Sequence, residues 1–96
     1  MTHRGDALTT KERRTLTIAL LAEILEADPA TLRPHDRLRD DLGLDSLQSL
    51  ELLSRLAEEL RIDLPMEDAL ALRTVEDACC FVETTWSTQS AERARG

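Results

Sequence analysis

Residues Gly43-Leu44-Asp45-Ser46-Leu47 are the most informative stretch of this chain, because they place a hydroxyl nucleophile at the predicted first turn of an amphipathic helix. Asp45 is a favoured helix N-cap residue. The apolar residues after it recur at the three- and four-residue spacing of a helix; they are Leu47, Leu50, Leu53, Leu56, Ala57 and Leu60. The pattern predicts a helix from about Ser46 to Leu60, with Ser46 exposed at its start.

The predicted position of Ser46 favours a phosphate ester over a hydrolytic nucleophile. The first N–H groups of a helix lack partners within the helix and lie at the positive end of its dipole, which stabilises a phosphate. A serine hydrolase would show G-x-S-x-G, whereas this chain has Leu44-Asp45-Ser46-Leu47-Gln48. The histidines, His3 and His35, lie in no recognisable base motif, so no catalytic residue is predicted.

Further motifs accompany Asp45-Ser46-Leu47 in order along the chain. The loop sequence 36–43 (DRLRDDLG) precedes the serine, and the segments 62–69 (IDLPMEDA) and 74–78 (TVEDA) follow it. Together these motifs resemble the acyl carrier protein family over roughly residues 10–86.

The resemblance implies a discrete acyl carrier protein that catalyses nothing itself. Ser46, flanked by Asp45 and Leu47, would carry a covalent 4′-phosphopantetheine arm taken from coenzyme A by a separate phosphopantetheinyl transferase. The arm would hold acyl intermediates as thioesters and present them to acyltransferases or ligases, ketosynthases and other acyl-processing enzymes. The pathway would be bacterial polyketide, specialised-metabolite or fatty acid biosynthesis.

Two alternative functions stay open at this point. An aminoacyl or peptidyl carrier protein usually shows a second glycine before the serine, and Leu44-Asp45 fits the acyl type better. A small acidic helical interaction module would contain Asp-Ser-Leu by chance and would never be modified. The sequence does not distinguish between fatty acyl, polyketide and small starter units as cargo.

Composition limits the class of protein independently. Ninety-six residues make one domain, and 42% hydrophobic residues with only 2% aromatic ones favour an aliphatic, helical core. The net charge of −7 argues against nucleic acid and for protein partners with basic patches. No apolar run is long enough to cross a bilayer, and no signal-type stretch follows the N-terminus. A cytoplasmic monomer is expected.

The periodicity predicts an all-α fold, a small four-helix bundle of three longer helices and one short helix. A long loop from Ala30 to Asp45 joins the first two helices, held to the core by leucines. The carrier domain is assigned to residues 9–87, with disordered tails at 1–8 and 88–96. The other predicted bounds are a first helix from Thr9 or Thr10 to about Glu26, a short helix at Met66 to Leu70, and a last helix that starts at a capping-box-like Thr74 to Asp77.

The predicted core residues follow from the same periodicity. They are Leu16, Leu20, Leu21, Ile24 and Leu25 in the first helix, Leu32, Leu38 and Leu42 in the loop, and Val75, Cys79, Val82 and Trp86 in the last helix. Cys79 and Cys80 are adjacent, so they lack the spacing of a metal or redox motif. We expect Cys79 in the core and Cys80 partly exposed, both reduced.

Negative charge is concentrated around Ser46. Residues 36–67 contain nine acids and four arginines, a local net charge of −5. The acids of the loop (Asp40, Asp41 and Asp45) lack the pattern of a calcium loop, so no metal site is predicted. Five residues of the second helix are expected to recognise partners, largely by electrostatic steering; they are Leu50, Glu51, Ser54, Glu58 and Glu59. Leu47 is expected to anchor the start of this helix.

Overall fold

The computed structural model of the chain describes residues 8–95, with side chains as far as residue 92. It contains the α-helices α1 (Thr10–Leu25), α2 (Ser46–Leu60) and α3 (Val75–Arg95), and the 3₁₀ helices η1 (Pro29–Thr31) and η2 (Met66–Ala71). Within the described residues there is no strand, only an isolated bridge between Arg37 and Thr74. The prediction of three longer helices and one short helix is confirmed, with η2 as the short helix; η1 is a single turn within the predicted long loop.

The helix starts are set by side-chain caps that the sequence predicts. In α1 the Thr9 hydroxyl accepts the Glu12 N–H at 3.2 Å, and the Glu12 carboxylate accepts the Thr9 N–H at 2.9 Å. Before α3, Thr74 and Asp77 make the same reciprocal pair, with distances of 3.1 and 3.2 Å. Such boxes satisfy N–H groups that the helix itself leaves without partners.

The core lies where the inward faces of the three α-helices meet the loop between α1 and α2. The fully buried leucines Leu21, Leu53 and Leu56 form its centre. From the loop, Leu32 and Leu38 are buried and the half-buried Leu42 packs against the core, as predicted. Leu44, which was not predicted as a core residue, is more deeply buried than any of these three. The long loop is therefore a packed element that fixes where α2 begins.

Backbone hydrogen bonds tie this loop to the segment before α3. The Leu38 N–H bonds to the Arg73 carbonyl at 2.8 Å, and the Val75 N–H bonds to the Asp36 carbonyl at 3.0 Å. The Glu76 N–H bonds to the carbonyl of Pro34 at 2.8 Å. The loop thus has a defined path despite its lack of regular secondary structure.

The inward face of α1 differs from the predicted stripe. Leu20 and Leu21 are buried as expected, but Leu16, Ile24 and Leu25 are only half-buried. Arg13 and Thr17 occupy the buried positions instead. Hydrophobic periodicity could not identify these two polar residues. Their burial is possible because the Thr17 hydroxyl donates to the Arg13 carbonyl at 2.8 Å and the Arg13 guanidinium forms an ion pair.

Arg13 joins α1 to α3. Its guanidinium donates to both carboxylate oxygens of Glu83, at 2.6 and 2.7 Å, and lies 3.6 Å from the centre of the Trp86 ring. It also donates to the Leu8 carbonyl. Only 4% of Arg13 is exposed. The two helices therefore meet through a partly buried charge pair, with Arg13 as its buried member, as well as through apolar packing.

The C-terminal segment differs from the predicted disordered tail at 88–96, because α3 continues to Arg95. A side-chain clamp supports the extension: the Gln89 amide accepts the Asp63 N–H at 2.9 Å and donates to the Asp63 carbonyl at 2.7 Å. Of the predicted N-terminal tail, residues 1–7 lie outside the described residues. No helix among those described is both long and apolar enough to span a membrane.

Candidate functional site

Ser46 is the first residue of α2, and its side chain is exposed, as predicted. The cap of this helix is made by its neighbours. The Asp45 carboxylate accepts the Gln48 N–H at 2.7 Å, and the Gln48 amide oxygen accepts the Asp45 N–H at 3.1 Å. Because Asp45 and Gln48 form the capping hydrogen bonds with each other, the Ser46 hydroxyl takes no part in the cap and is available for modification.

Two residues, Gly43 and Leu44, define the turn before Ser46. Gly43 has φ of 72°, the left-handed region that favours glycine, and nothing lies within 4 Å of where a Cβ would stand. The requirement for glycine there is therefore conformational and not a matter of space. The Leu44 N–H then bonds to the Leu38 carbonyl at 2.7 Å while the Leu44 side chain enters the core. This turn directs Ser46 outward.

Arg39 contacts the hydroxyl directly. Its Nη2 atom donates to Ser46 Oγ at 3.0 Å, and the guanidinium is exposed. From the sequence, Arg39 is only one of the four arginines among residues 36–67. No linear motif would have found it, because the contact depends on the turn that folds residue 39 back on residue 46.

The loop carboxylates have structural partners. Asp41 accepts the Arg37 N–H at 2.7 Å, and the Arg37 guanidinium lies 3.5 Å from Asp40 and 3.6 Å from Asp41. Asp45 is occupied as the N-cap. Across the part of the chain that the structure describes, no group of three or more histidine, cysteine or acidic residues is placed to hold a metal ion.

The outward face of α2 includes two leucines. Leu47 is 76% exposed and Leu50 is 39% exposed. The expectation that Leu47 anchors the helix start is wrong. Leu47 and Leu56 are nine residues apart, about two and a half turns, so they point to opposite sides of the helix. Leu44, one residue before the N-cap, provides the anchor instead.

The residues expected to recognise partners are all exposed, but they do not share one face. At about 100° per residue, the positions of Glu51, Ser54 and Glu58 fall within a narrow stripe that also includes Leu47 and Leu50. Glu59 is rotated away from this stripe. We call Leu47, Leu50, Glu51, Ser54 and Glu58 the outer stripe of α2.

Arg55 interrupts the acidic surface for a structural reason. Its guanidinium bonds to the Glu23 carboxylate of α1 at 2.8 Å, and this hydrogen bond raises the pKa of Arg55 above its usual value. Weaker attraction from Glu51 and Glu59, one turn to either side, acts in the same direction. Arg55 therefore connects α1 to α2 and offsets part of the charge of two nearby acids.

Ser49 and Ser54 are less suitable attachment points than Ser46. Ser49 is buried, and its hydroxyl donates to the Asp45 carbonyl at 3.0 Å. Ser54 is exposed but lies in the middle of α2, away from the free N–H groups of the first turn. Ser46 alone of the three serines combines exposure with the helix N-terminus.

The two cysteines are free, with Cys79 buried and Cys80 exposed, as predicted. Burial raises the pKa of the Cys79 thiol to about 11. A hydrogen bond to Glu76 raises the pKa of Cys80 as well. Since the thiolate is the reactive form, neither side chain is an activated nucleophile at neutral pH.

Comparison with known proteins assigns the family. Residues 16–82 match the family model described as "Phosphopantetheine attachment site". An acyl carrier protein of Thermosynechococcus vestitus is 39% identical over 64 residues, which are 67% of this chain and 79% of that protein. One from Bdellovibrio bacteriovorus is 38% identical over 67% of this chain and 82% of its own.

A solved structure agrees with these relatives. The A1-type ACP domain from module 5 of MLSA1 superposes with a TM-score of 0.65 at 26% identity, covering 84% of this chain and 85% of that domain. The chain belongs to the acyl carrier protein family. Its cofactor is 4′-phosphopantetheine, attached covalently.

The residues around Ser46 fit this group. The arm begins with a phosphodiester, which carries negative charge next to the atom that bears it. The exposed hydroxyl, the first-turn N–H groups of α2 and the Arg39 guanidinium offer an acceptor atom and complementary charge at that point. The apolar and acidic outer stripe of α2 continues from the same end of the helix.

Proposed function

We propose that Ser46 carries the arm and that the chain presents acyl intermediates, as thioesters on this arm, to enzymes of bacterial polyketide, specialised-metabolite or fatty acid biosynthesis. One observation carries the proposal. The Ser46 hydroxyl lies exposed at the N-terminus of α2, is left out of the capping box and is in contact with Arg39.

In this function the chain positions the arm and its cargo, and the partner enzymes catalyse the reactions. A phosphopantetheinyl transferase supplies the arm from coenzyme A, and the thiol at the end of the arm accepts the acyl group. The packed loop and the capped start of α2 keep the base of the arm in one place, so the cargo stays at high local concentration for each partner. The cytoplasm, where free thiols such as Cys79 and Cys80 stay reduced, is the compartment we propose.

The outer stripe of α2 is the surface we propose for these partners, which include the transferase, acyltransferases or ligases and ketosynthases. Leu47 and Leu50 offer apolar contacts beside Ser46, and Glu51 and Glu58 offer negative charge to basic patches. Charge of this kind accelerates encounter without tight binding, which suits a carrier that must leave each enzyme again.

A loading experiment tests the proposed function. The purified chain is incubated with coenzyme A, Mg²⁺ and a broad-specificity phosphopantetheinyl transferase, and its intact mass is measured. We expect the mass of one phosphopantetheinyl group to be added, and a butyryl group to add further when butyryl-coenzyme A replaces coenzyme A. Hydroxylamine should then remove the butyryl group alone, because it cleaves thioesters. An unchanged mass after incubation with an active transferase would contradict the proposal.

Charge reversal on the outer stripe should slow arm transfer. In Glu58→Lys, and to a smaller degree in Glu51→Lys, the initial rate of phosphopantetheinylation should fall at low ionic strength because encounter is weakened. Glu51 should matter less, since Arg55 already offsets part of its charge. Added salt should slow the wild type and narrow its difference from both variants. Rates are measured by intact mass at several salt concentrations.

The matched control for this prediction is Glu92→Lys, an exposed position on α3. From the sequence Glu23 and Glu83 are equivalent controls, but the structure pairs them with Arg55 and Arg13, so their reversal would break an ion pair between helices as well as change the surface charge. Equal slowing in Glu58→Lys and Glu92→Lys, or a wild-type rate that does not respond to salt, would refute electrostatic recognition on this stripe.

A further inference from the structure

A groove of about 370 Å³ lies between the loop before α2 and the end of η2. It is lined by Arg37, Arg39, Asp40, Leu70, Leu72 and Arg73. Arg39, one of these lining residues, also donates to Ser46 Oγ, so one side chain connects the groove to the proposed attachment point. We call it the arginine groove.

The arginine groove is unusual for its charge. Three guanidinium groups line it against one carboxylate, in a chain whose net charge is −7. The carboxylates of Asp40 and Asp41 offset the charge of Arg37. Within residues 8–92 the guanidinium groups of Arg39 and Arg73 form no ion pair. Two cations are therefore available to an anion at this position.

Backbone hydrogen bonds hold the two segments that carry Arg39 and Arg73 in a fixed relation. The Leu38 N–H, next to Arg39, bonds to the carbonyl of Arg73 at 2.8 Å. Arg37 forms the isolated bridge with Thr74, beside Arg73, and the buried Leu38 side chain secures the loop from below. Because the backbone of both segments is already ordered, an anion can bind here with little loss of backbone entropy.

The remaining two residues that line the arginine groove, Leu70 and Leu72, are apolar. Leu70 is 63% exposed and Leu72 is half-buried. A site with two leucines and with two guanidinium groups that form no ion pair within residues 8–92 fits a ligand that joins an anionic group to a short apolar segment. Both parts occur on a carrier arm: its phosphodiester is anionic at one end, and an acyl group with a terminal carboxylate is anionic at the other.

We propose that the arginine groove binds an anionic group of the Ser46-linked arm through Arg39 and Arg73. The proposal rests on the proposed function, since it requires the arm at Ser46. The anion has two sources, the phosphodiester next to Ser46 and a carboxylate at the free end of the cargo. If the carboxylate is the source, the groove selects carboxyacyl thioesters over neutral ones of the same length.

The test compares four forms of the ¹⁵N-labelled chain by NMR: without the arm, with the arm, butyryl-loaded and succinyl-loaded. Butyryl and succinyl groups have the same number of carbons and differ in the terminal carboxylate. The readouts are the guanidinium N–H signal of Arg73 and the amide signals of Leu70 and Leu72. Loading is verified first by intact mass, so a chain that accepts no arm contradicts the proposed function and is recognised as such.

A shift of the Arg73 signal on arm attachment alone identifies the phosphodiester as the ligand, and a shift only in the succinyl form identifies the acyl carboxylate. In Arg39→Gln either shift of the Arg73 signal should be lost. In Arg73→Gln, which has no such signal, the shifts of the Leu70 and Leu72 amide signals should shrink strongly. The control is Arg33→Gln, at an exposed loop position outside the groove, and it should leave the shifts of the Arg73, Leu70 and Leu72 signals unchanged. Identical Arg73, Leu70 and Leu72 signals in all four forms would overturn the proposal.

Discussion

Ser46→Ala should abolish attachment of the arm, with no added mass after incubation with coenzyme A and the transferase. The variant should keep the helical circular dichroism of the wild type, because the capping bonds belong to Asp45 and Gln48 and not to the serine. Alanine at an exposed first position of a helix is also well tolerated. The loss would therefore be chemical, with the fold intact.

Ser54→Ala is the matched control for that variant. Ser54 is exposed on the same helix and is a serine of the outer stripe, so its loss should leave the added mass unchanged. Intact mass of the wild type and both variants under one set of conditions gives the comparison. Full labelling of Ser46→Ala would show that another residue carries the arm.

Arg13→Ala should destabilise the fold by about 3 kcal/mol, a large share of the total stability of a domain this small. The substitution leaves the Glu83 carboxylate without its bidentate partner and removes the guanidinium from the face of Trp86. We place the loss at the lower end of the range for broken buried pairs, because Glu83 retains 29% of its side-chain exposure and can be partly resolvated. The measurement is urea unfolding followed by circular dichroism.

The control is Arg14→Ala, the adjacent arginine of α1. Arg14 pairs with Glu76, but both side chains are more than a third exposed, so the loss should be at most about 1 kcal/mol. Equal destabilisation by Arg13→Ala and Arg14→Ala would show that the buried pair contributes nothing beyond an ordinary surface contact.

The same pair predicts a pH dependence. The hydrogen bond from Arg13 holds the pKa of Glu83 below its usual value of 4.5. A lowered carboxyl pKa contributes stability that is present above the unfolded pKa and is lost as the pH falls through the folded one. The difference in unfolding free energy between wild type and Arg13→Ala should therefore be full at pH 7 and should shrink as the pH falls below about 4.5. A difference that stays constant into acid would contradict this account of Glu83.

Local chemistry explains which features could be predicted from the sequence. Asp45 before Ser46, and Thr74 before Asp77, mark helix starts because a cap depends only on residues three apart. The bounds of α2 follow from its leucine spacing and were predicted correctly. The place of Ser46 at the start of that helix, the centre of the proposed site, could be predicted as well, whereas the turn at Gly43 and Leu44 that directs it outward could not.

The features that sequence reasoning missed depend on contacts between distant residues. Arg13 and Glu83 are 70 positions apart, and the folding-back of Arg39 depends on the turn at Gly43. Leu47 fits the three- and four-residue spacing of the apolar residues. It lies on the outer side of α2 because the buried residues Leu53 and Leu56 determine which side of the helix faces the core. The helical extension of α3 depends on the clamp between Gln89 and Asp63, in a segment without apolar periodicity.

The central claim, that Ser46 bears the arm, is tested most directly by locating the added group within the sequence. Cleavage after Arg39 and Arg55 releases the peptide 40–55, which contains Ser46, Ser49 and Ser54. Tandem mass spectrometry of this peptide from the loaded chain distinguishes the three serines by their fragment masses. We predict that fragments containing Ser46 carry the phosphopantetheinyl mass and that those containing only Ser49 or Ser54 do not. An added mass on Ser49, on Ser54 or outside this peptide would contradict the account.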